Sequence, residues 1–259
     1  MNQQLKSALK RLNLSGLMGT LEMRLSEAMG NQLTHAEFLE LIVNDEIAVR
    51  EDRAIARRLK AARFRELKSL EDFDFSFNPR INRRDIMELA TCRFIREHRD
   101  ILFTGPPGVG KSHLAQAIGH QAAKIGFVVM YRSIFDAVGE LGQSEVFGET
   151  AKTLRKYLKP DLLIIDDMGL KRLPKNNGEY LFEIIMRRFE LRSTIMTSNR
   201  PLDEWGKLIG DVATATAILD RFLSRAEVVQ ITGQSYRLKN RACGVKEIDG
   251  TETQTMEQP

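Results

Sequence analysis

Cysteine, histidine and long apolar runs are what this sequence has least of. Its 259 residues hold two cysteines, Cys92 and Cys243, which stand far apart and have no metal-ligand spacing. That excludes a disulfide framework and a cysteine-bound zinc, and it fits a chain kept in a reducing cytoplasm. No apolar run approaches the roughly 18 residues of a membrane span, so a soluble protein without a membrane partner is expected. The opening Met1-Asn2-Gln3-Gln4 is polar and lacks the apolar core of a secretory signal. Of the four histidines, His113 and His120 fall seven apart on one helix face. No third ligand joins them, so packing or exposure is expected there and not metal binding. Internal repeats are absent.

What is present is a globular composition with 42% hydrophobic residues, enough for one large domain or two unequal ones. The formal charge is +4, but the sixteen residues from Gly244 carry −3, which leaves +7 on the rest. A body so basic suggests a polyanionic partner.

The first sixty-odd residues read as helices. Leu5, Leu9 and Leu12 share one face, and Leu14, Leu17, Met18, Leu21, Leu25 and Ala28 repeat at helical spacing. Thr34-His35-Ala36-Glu37 is a capping box, so a third helix starts there, with Phe38, Leu41, Ile42 and Val49 as its apolar face. Between Arg50 and Lys68 eight basic residues oppose three acidic ones. This basic run fits a solvated face, or a surface for DNA or an acidic partner. Phe73, Phe75 and Phe77 then mark an ordered linker, which either docks onto the next domain or borders a base pocket. Asn82 can cap a helix through Phe94. Strands are expected at residues 101–104, 127–131, 162–165, 194–197 and 228–231, with helices between them. Alternation of this kind predicts an α/β fold, a parallel sheet covered on both faces.

The chemistry is concentrated in Gly105-Pro106-Pro107-Gly108-Val109-Gly110-Lys111-Ser112, which fits the phosphate-binding loop G-x-x-x-x-G-K-[ST]. An apolar strand precedes it and a helix follows, as the physics requires. Glycines let backbone N–H groups turn toward a polyphosphate, and the helix N-terminus favours the anion. Lys111 is the residue for the β- and γ-phosphates, and Ser112 for magnesium. ATP with Mg2+ is therefore the expected ligand. Downstream, Leu162-Leu163-Ile164-Ile165-Asp166-Asp167 is an apolar strand ending in two carboxylates. Asp166 suits the magnesium ion and Asp167 the attacking water, although AAA+ ATPases often place a longer Glu at the second position. Ile195-Met196-Thr197-Ser198-Asn199 is a strand ending in polar side chains. In an AAA+ arrangement it lies between the other two strands, with Asn199 near the γ-phosphate and Thr197 behind it. Arg221 is a candidate arginine finger toward a neighbouring subunit, with Arg225 its competitor, and Arg237 is a further nucleotide contact.

These elements, with a helical insertion between Tyr131 and Pro160, resemble the initiator clade of AAA+ proteins, which includes DnaA and the helicase loader DnaC. Within that clade the chain resembles the IstB family of insertion-sequence transposition helpers. The resemblance runs from Leu14-Ser15-Gly16-Leu17 and Phe38-Leu39-Glu40-Leu41 through Arg57-Arg58-Leu59-Lys60-Ala61-Ala62-Arg63-Phe64. It continues in Leu70-Glu71-Asp72-Phe73-Asp74-Phe75 and reaches Gly233-Gln234-Ser235-Tyr236-Arg237. It implies an AAA+ P-loop NTPase domain at residues 80–243, a helical N-terminal oligomerisation or partner domain at 1–65 and an aromatic linker at 66–79, and the polar composition of 244–259 marks a disordered tail. No full C-terminal lid is expected, so neighbours in a homo-oligomer complete shared ATP sites. The implied activity is ATP hydrolysis by an assembly on duplex DNA that recruits or stimulates its cognate transposase. Arg132, Lys152, Arg155 and Lys156, with Lys171, Arg172 and Lys175, are the implied DNA contacts. A helicase loader of the DnaC type is the alternative. A small-molecule phosphotransferase would leave the basic N-terminal helices unused.

Overall fold

The computed structural model describes residues 2–169 and 177–238. Helix α1 (Gln3–Arg11) is capped by Asn2, and α2 (Ser15–Gly30) follows after a short turn. The capping box forms as the sequence predicts: the Thr34 hydroxyl accepts from Glu37 N–H, and the Glu37 carboxylate accepts from Thr34 N–H. It starts α3 (His35–Ala62), whose 28 residues span about 42 Å at 1.5 Å each. Arg63 ends it in a left-handed conformation (φ 56°).

The three helices hold a small apolar cluster of Leu9, Leu17, Leu21 and Ile42, with Leu14, Met18 and Phe38 packed against it. Glu46 of α3 is buried, and its Oε2 accepts from the backbone N–H of Gly16 (2.7 Å) and Leu17 (3.1 Å). A carboxylate thereby satisfies the free donors at the start of α2, the charge that a helix N-terminus favours. Gly16 is needed because a Cβ there would stand 2.9 Å from the Asp45 carbonyl oxygen.

The α/β core then follows in chain order: α4 (Arg83–Ala90), α5 (Arg93–Arg96), β1 (Asp100–Thr104), α6 (Lys111–Ile125), β2 (Val129–Ser133), α7 (Ile134–Val146), α8 (Thr150–Leu158), β3 (Leu162–Met168), α9 (Asn177–Arg188), β4 (Ser193–Ser198), α10 (Trp205–Ile209), α11 (Val212–Leu223) and β5 (Ala226–Gln230). The single helix expected from Asn82 to Phe94 is two. Cys92, at φ 59°, breaks it, and the bend lets Ile86 and Leu89 enter the same cluster as Phe94 and Ile95. The second strand lies two residues later than expected, because the Phe127 N–H still donates to the Ala122 carbonyl (3.0 Å) at the end of α6.

All strand pairs are parallel, in the order β2-β3-β4-β1-β5. The β4 strand therefore separates β1 from β3, as the AAA+ resemblance implies. One face of the sheet is covered by α7, α8, α9 and α11, and the other by α6 with α4, α5 and the end of α3. Leu59, Ala62 and Phe64 carry α3 into this second layer. The burial of four strands on both faces is what turns their sequences into near-continuous apolar runs.

One buried residue ties the sheet together away from the site. Arg188 is 1% exposed and donates to the carbonyls of Tyr157 (2.9 Å), Pro160 (2.9 Å) and Ser193 (2.5 Å) and to the Thr194 hydroxyl (3.1 Å). It joins the end of α8 to the start of β4. Arg188→Ala leaves these buried acceptors without their donor and opens a cavity, a loss of about 3–5 kcal/mol. Thermal melting should show a drop of roughly 6–20 °C. A drop of only a degree or two would show that water replaces the guanidinium.

Candidate nucleotide site

Gly105 to Gly110 join β1 to α6, and the turn depends on backbone that side chains rarely adopt. Gly108 (φ 83°) and Gly110 (φ 106°) are left-handed, and each is also closely approached. A Cβ on Gly108 would fall 1.9 Å from the Ser235 hydroxyl, and one on Gly110 would fall 2.7 Å from the Phe73 ring. The loop is thus clasped between the aromatic linker and residues 235–237, and Tyr236 N–H donates to the Gly108 carbonyl (2.9 Å). The Lys111 ammonium, on a residue only 5% exposed, donates to the carbonyls of Gly105 (2.8 Å) and Pro106 (2.7 Å). Burial pushes its pKa down to about 8.

At the end of β3 the two carboxylates differ sharply. Asp166 is 1% exposed and accepts three hydroxyls: Ser112 (2.8 Å) and Thr197 at Oδ1, and Tyr131 (2.5 Å) at Oδ2. Burial and the charge of Asp166 hold the Tyr131 phenol far above its ordinary pKa, so it stays a donor. Asp167 turns into the left-handed region (φ 66°), and its N–H donates to the Thr197 hydroxyl (3.1 Å). Thr197 therefore fixes both acids. Burial, then the neighbouring Asp166, raises the Asp167 pKa. Its nearest cation is Arg65, with Nη1 3.7 Å from Oδ2.

These groups face one cleft of about 680 Å3. It brings together Gly108, Lys111, Ser112, Asp166, Asp167, Asn199 and Arg237, and Phe73, Phe77 and Asn78 of the linker line it too. Asn199 is held by its N–H on the Met168 carbonyl (3.0 Å). The linker is ordered: Phe73 packs on Phe75 (4.8 Å between centroids) and His113 (5.2 Å), and Phe77 packs on Tyr236 (5.0 Å). His113 Nε2–H donates to the Ser69 carbonyl (2.9 Å), a packing role.

The oxygens of Ser112 and Asp166, side by side, are the hard donors that Mg2+ takes together with phosphate oxygens and water. Among the described residues no group of three or more His, Cys, Asp or Glu side chains could enclose an ion by itself.

Other predicted residues lie elsewhere. Arg221 is exposed on α11 with its guanidinium over the Phe189 ring (5.3 Å), and Arg225 reaches Glu190 (3.3 Å). Neither lines the cleft of its own chain. Arg132 must be struck from the exposed cations. It is 6% exposed and donates to Glu140 (3.1 Å) and the Tyr131 carbonyl (2.7 Å). Lys152, Arg155 and Lys156 all stand exposed on α8, Lys156 paired with the same Glu140 (2.6 Å) and Lys152 with Glu149 (3.1 Å). Lys171, Arg172 and Lys175 lie outside the described residues, as does the tail from Gly244. Tyr131 and Arg65 carry no local signal in the sequence. Only the register of β2 on β3 and the path of the chain after α3 bring them to the acids.

No described helix is long and apolar enough to cross a membrane. The solved structures similar to this one share its core. They include the replication initiator DnaA bound to AMPPCP and single-stranded DNA (TM-score 0.56, 23% identity, 71% of this chain and 58% of that one). The DnaC helicase loader is another (TM-score 0.50, 26% identity, 57% of this chain and 86% of that one). Both place the fold among AAA+ proteins. Among curated proteins, the ATP-binding protein of insertion sequence IS5376 from Geobacillus stearothermophilus is 38% identical over 83% of this chain and 85% of its own length. That of insertion sequence IS21 from Pseudomonas aeruginosa is 35% identical over 92% and 90%. The family described as IstB-like ATP binding protein matches residues 7–243. With a phosphate loop, a paired-acid strand and a helical N-terminus all inside that match, this chain belongs to the IstB-like ATP-binding proteins of insertion sequences.

Proposed function

We propose that this protein hydrolyses ATP with magnesium, assembles in the cytoplasm as a homo-oligomer on duplex DNA, and in that state recruits or stimulates the transposase of its element. The observation that carries the hydrolytic part is the pair of acids beside the phosphate loop, both fixed by Thr197. In this reading Lys111 and the loop N–H groups bind the polyphosphate, and Arg237 adds a contact from the far wall. Ser112 and Asp166 hold the cation, which supplies charge neutralisation at the phosphates when bound. Asp167 orients and polarises the attacking water, and Asn199 helps to place it. Arg221 serves the site of a neighbouring copy, where a guanidinium stabilises charge in the transition state.

Phe73 and Phe77 border the base. Lys152 and Arg155, joined by Lys171, Arg172 and Lys175 after the Asp-Asp strand, contact phosphates of DNA without reading sequence. Exposed Leu39, Val43 and Ile47 repeat every four residues along α3 and suit a protein partner of the N-terminal helices. The relatives' insertion-sequence origin supports the DNA reading. The similarity to the DnaC helicase loader supports a second one, in which the partner is a replicative helicase.

Turnover measured with and without DNA separates these readings. Duplex DNA should raise both ATP turnover and oligomer size, and added salt should reverse the effect. Stimulation only by single strands with a helicase would transfer the protein to the loader reading. No response of turnover or oligomer size to either DNA would sink both.

A further inference from the structure

Arg65 stands where two cavities meet. It lines the nucleotide cleft, and it also lines a groove of about 800 Å3 walled by Tyr131, Phe135, Asp136 and Gln143, with Asp167 shared by both. Its backbone is fixed from either side. The Phe64 ring packs on Tyr131 (6.3 Å between centroids) and lies so close to α6 that a Cβ on Gly119 would be 3.0 Å from it. Glu66 N–H donates to the Gln116 side-chain oxygen (3.1 Å), and the Gln116 amide in turn donates to the Ser112 carbonyl (3.2 Å). The base of Arg65 is therefore tied to the first turn of the helix that follows the phosphate loop.

Its side chain, by contrast, is 70% exposed. Its ion-pair partner is Asp167 at 3.7 Å, beyond hydrogen-bond reach. Asp167 attracts the guanidinium without taking up its donors, and a guanidinium has five of them in a planar fork that matches phosphate oxygens. Lys111 and Arg237 face the same cleft.

We propose that Arg65 binds the terminal phosphate of ATP within its own chain and so distinguishes ATP from ADP. This rests on the reading that the phosphate loop and Asp167 flank the triphosphate. The residue comes from the chain just after α3, so the cation that reads the terminal phosphate is delivered by the helix that also builds the N-terminal cluster. A lysine would keep the charge but lose the fork.

The test is equilibrium binding of a non-hydrolysable ATP analogue and of ADP, each with magnesium, to the full chain at low concentration without DNA. The proteins are wild type, Arg65→Ala, Arg65→Lys and Lys111→Ala. Arg65→Ala should bind the analogue about tenfold more weakly, about 1.4 kcal/mol. Its ADP affinity and melting temperature should match the wild type, since the side chain is exposed. Arg65→Lys should fall between the two. Wild-type affinity for both nucleotides in Arg65→Ala, or equal loss of both, would overturn the assignment. Wild-type affinity in Lys111→Ala would instead overturn the phosphate-loop reading on which it rests.

Discussion

Lys111→Ala should lose ATP binding by a factor of a hundred or more while the protein stays folded. The Lys111 ammonium is held almost out of water by the loop itself, on the carbonyls of Gly105 and Pro106. Binding exchanges these two neutral acceptors for phosphate oxygens. A charge-assisted contact is about twice as strong as a neutral one. Removing it from a sheltered site costs about 3 kcal/mol, roughly two orders of magnitude in Kd. Stability should change little, because the abandoned carbonyls sit in a loop open to the cleft. Calorimetric titration with an ATP analogue measures the loss directly. A Kd within about threefold of wild type, less than 1 kcal/mol, would mean that the nucleotide sits elsewhere.

Asp167→Asn is the complementary experiment, leaving ATP bound but not turned over. Asn is nearly the same size and tolerates the left-handed backbone at this position (φ 66°) as Asp does. The N–H bond to Thr197 is made by the backbone and survives. The substitution also removes a charge that burial and Asp166 both disfavour, so the melting temperature should hold or rise. An amide cannot polarise water as a carboxylate does, and loss of such a group lowers turnover by about a hundredfold or more. Steady-state phosphate release, read beside nucleotide binding, checks both halves. Normal turnover would take Asp167 out of the reaction, and lost binding would make it a ligand of the nucleotide and not of the water.

Much of the site is legible in the sequence because its parts are local. The phosphate loop is eight consecutive residues, and the conformations it requires are a property of its own glycines. Asp166 and Asp167 announce themselves as carboxylates at the end of an apolar run. The capping box at Thr34 and Glu37 is likewise complete within four residues. Failures occur where a residue type has two possible fates. Arg132 reads as one cation among several, yet it is buried against Glu140, while Lys152 and Arg155 on the neighbouring helix stay in water. The helix expected through Phe94 stops early because the core rewards a bend at Cys92, which propensity does not record.

By itself, then, the sequence determined the ligand class and the layered α/β architecture, since backbone torsions, capping and apolar periodicity act over a few residues. Only the tertiary structure decided which hydroxyls enclose Asp166, which arginine approaches Asp167 and which basic side chain is withdrawn from solvent. The β2 register brings Tyr131 to Asp166, the β3–β4 pairing brings Thr197, and the chain leaving α3 brings Arg65. Those partners stand some thirty to a hundred residues apart in sequence. Periodicity says which face a side chain takes and nothing about whom it meets there. Meeting is set by how whole elements pack, which depends on the sum of all buried contacts and not on any segment alone.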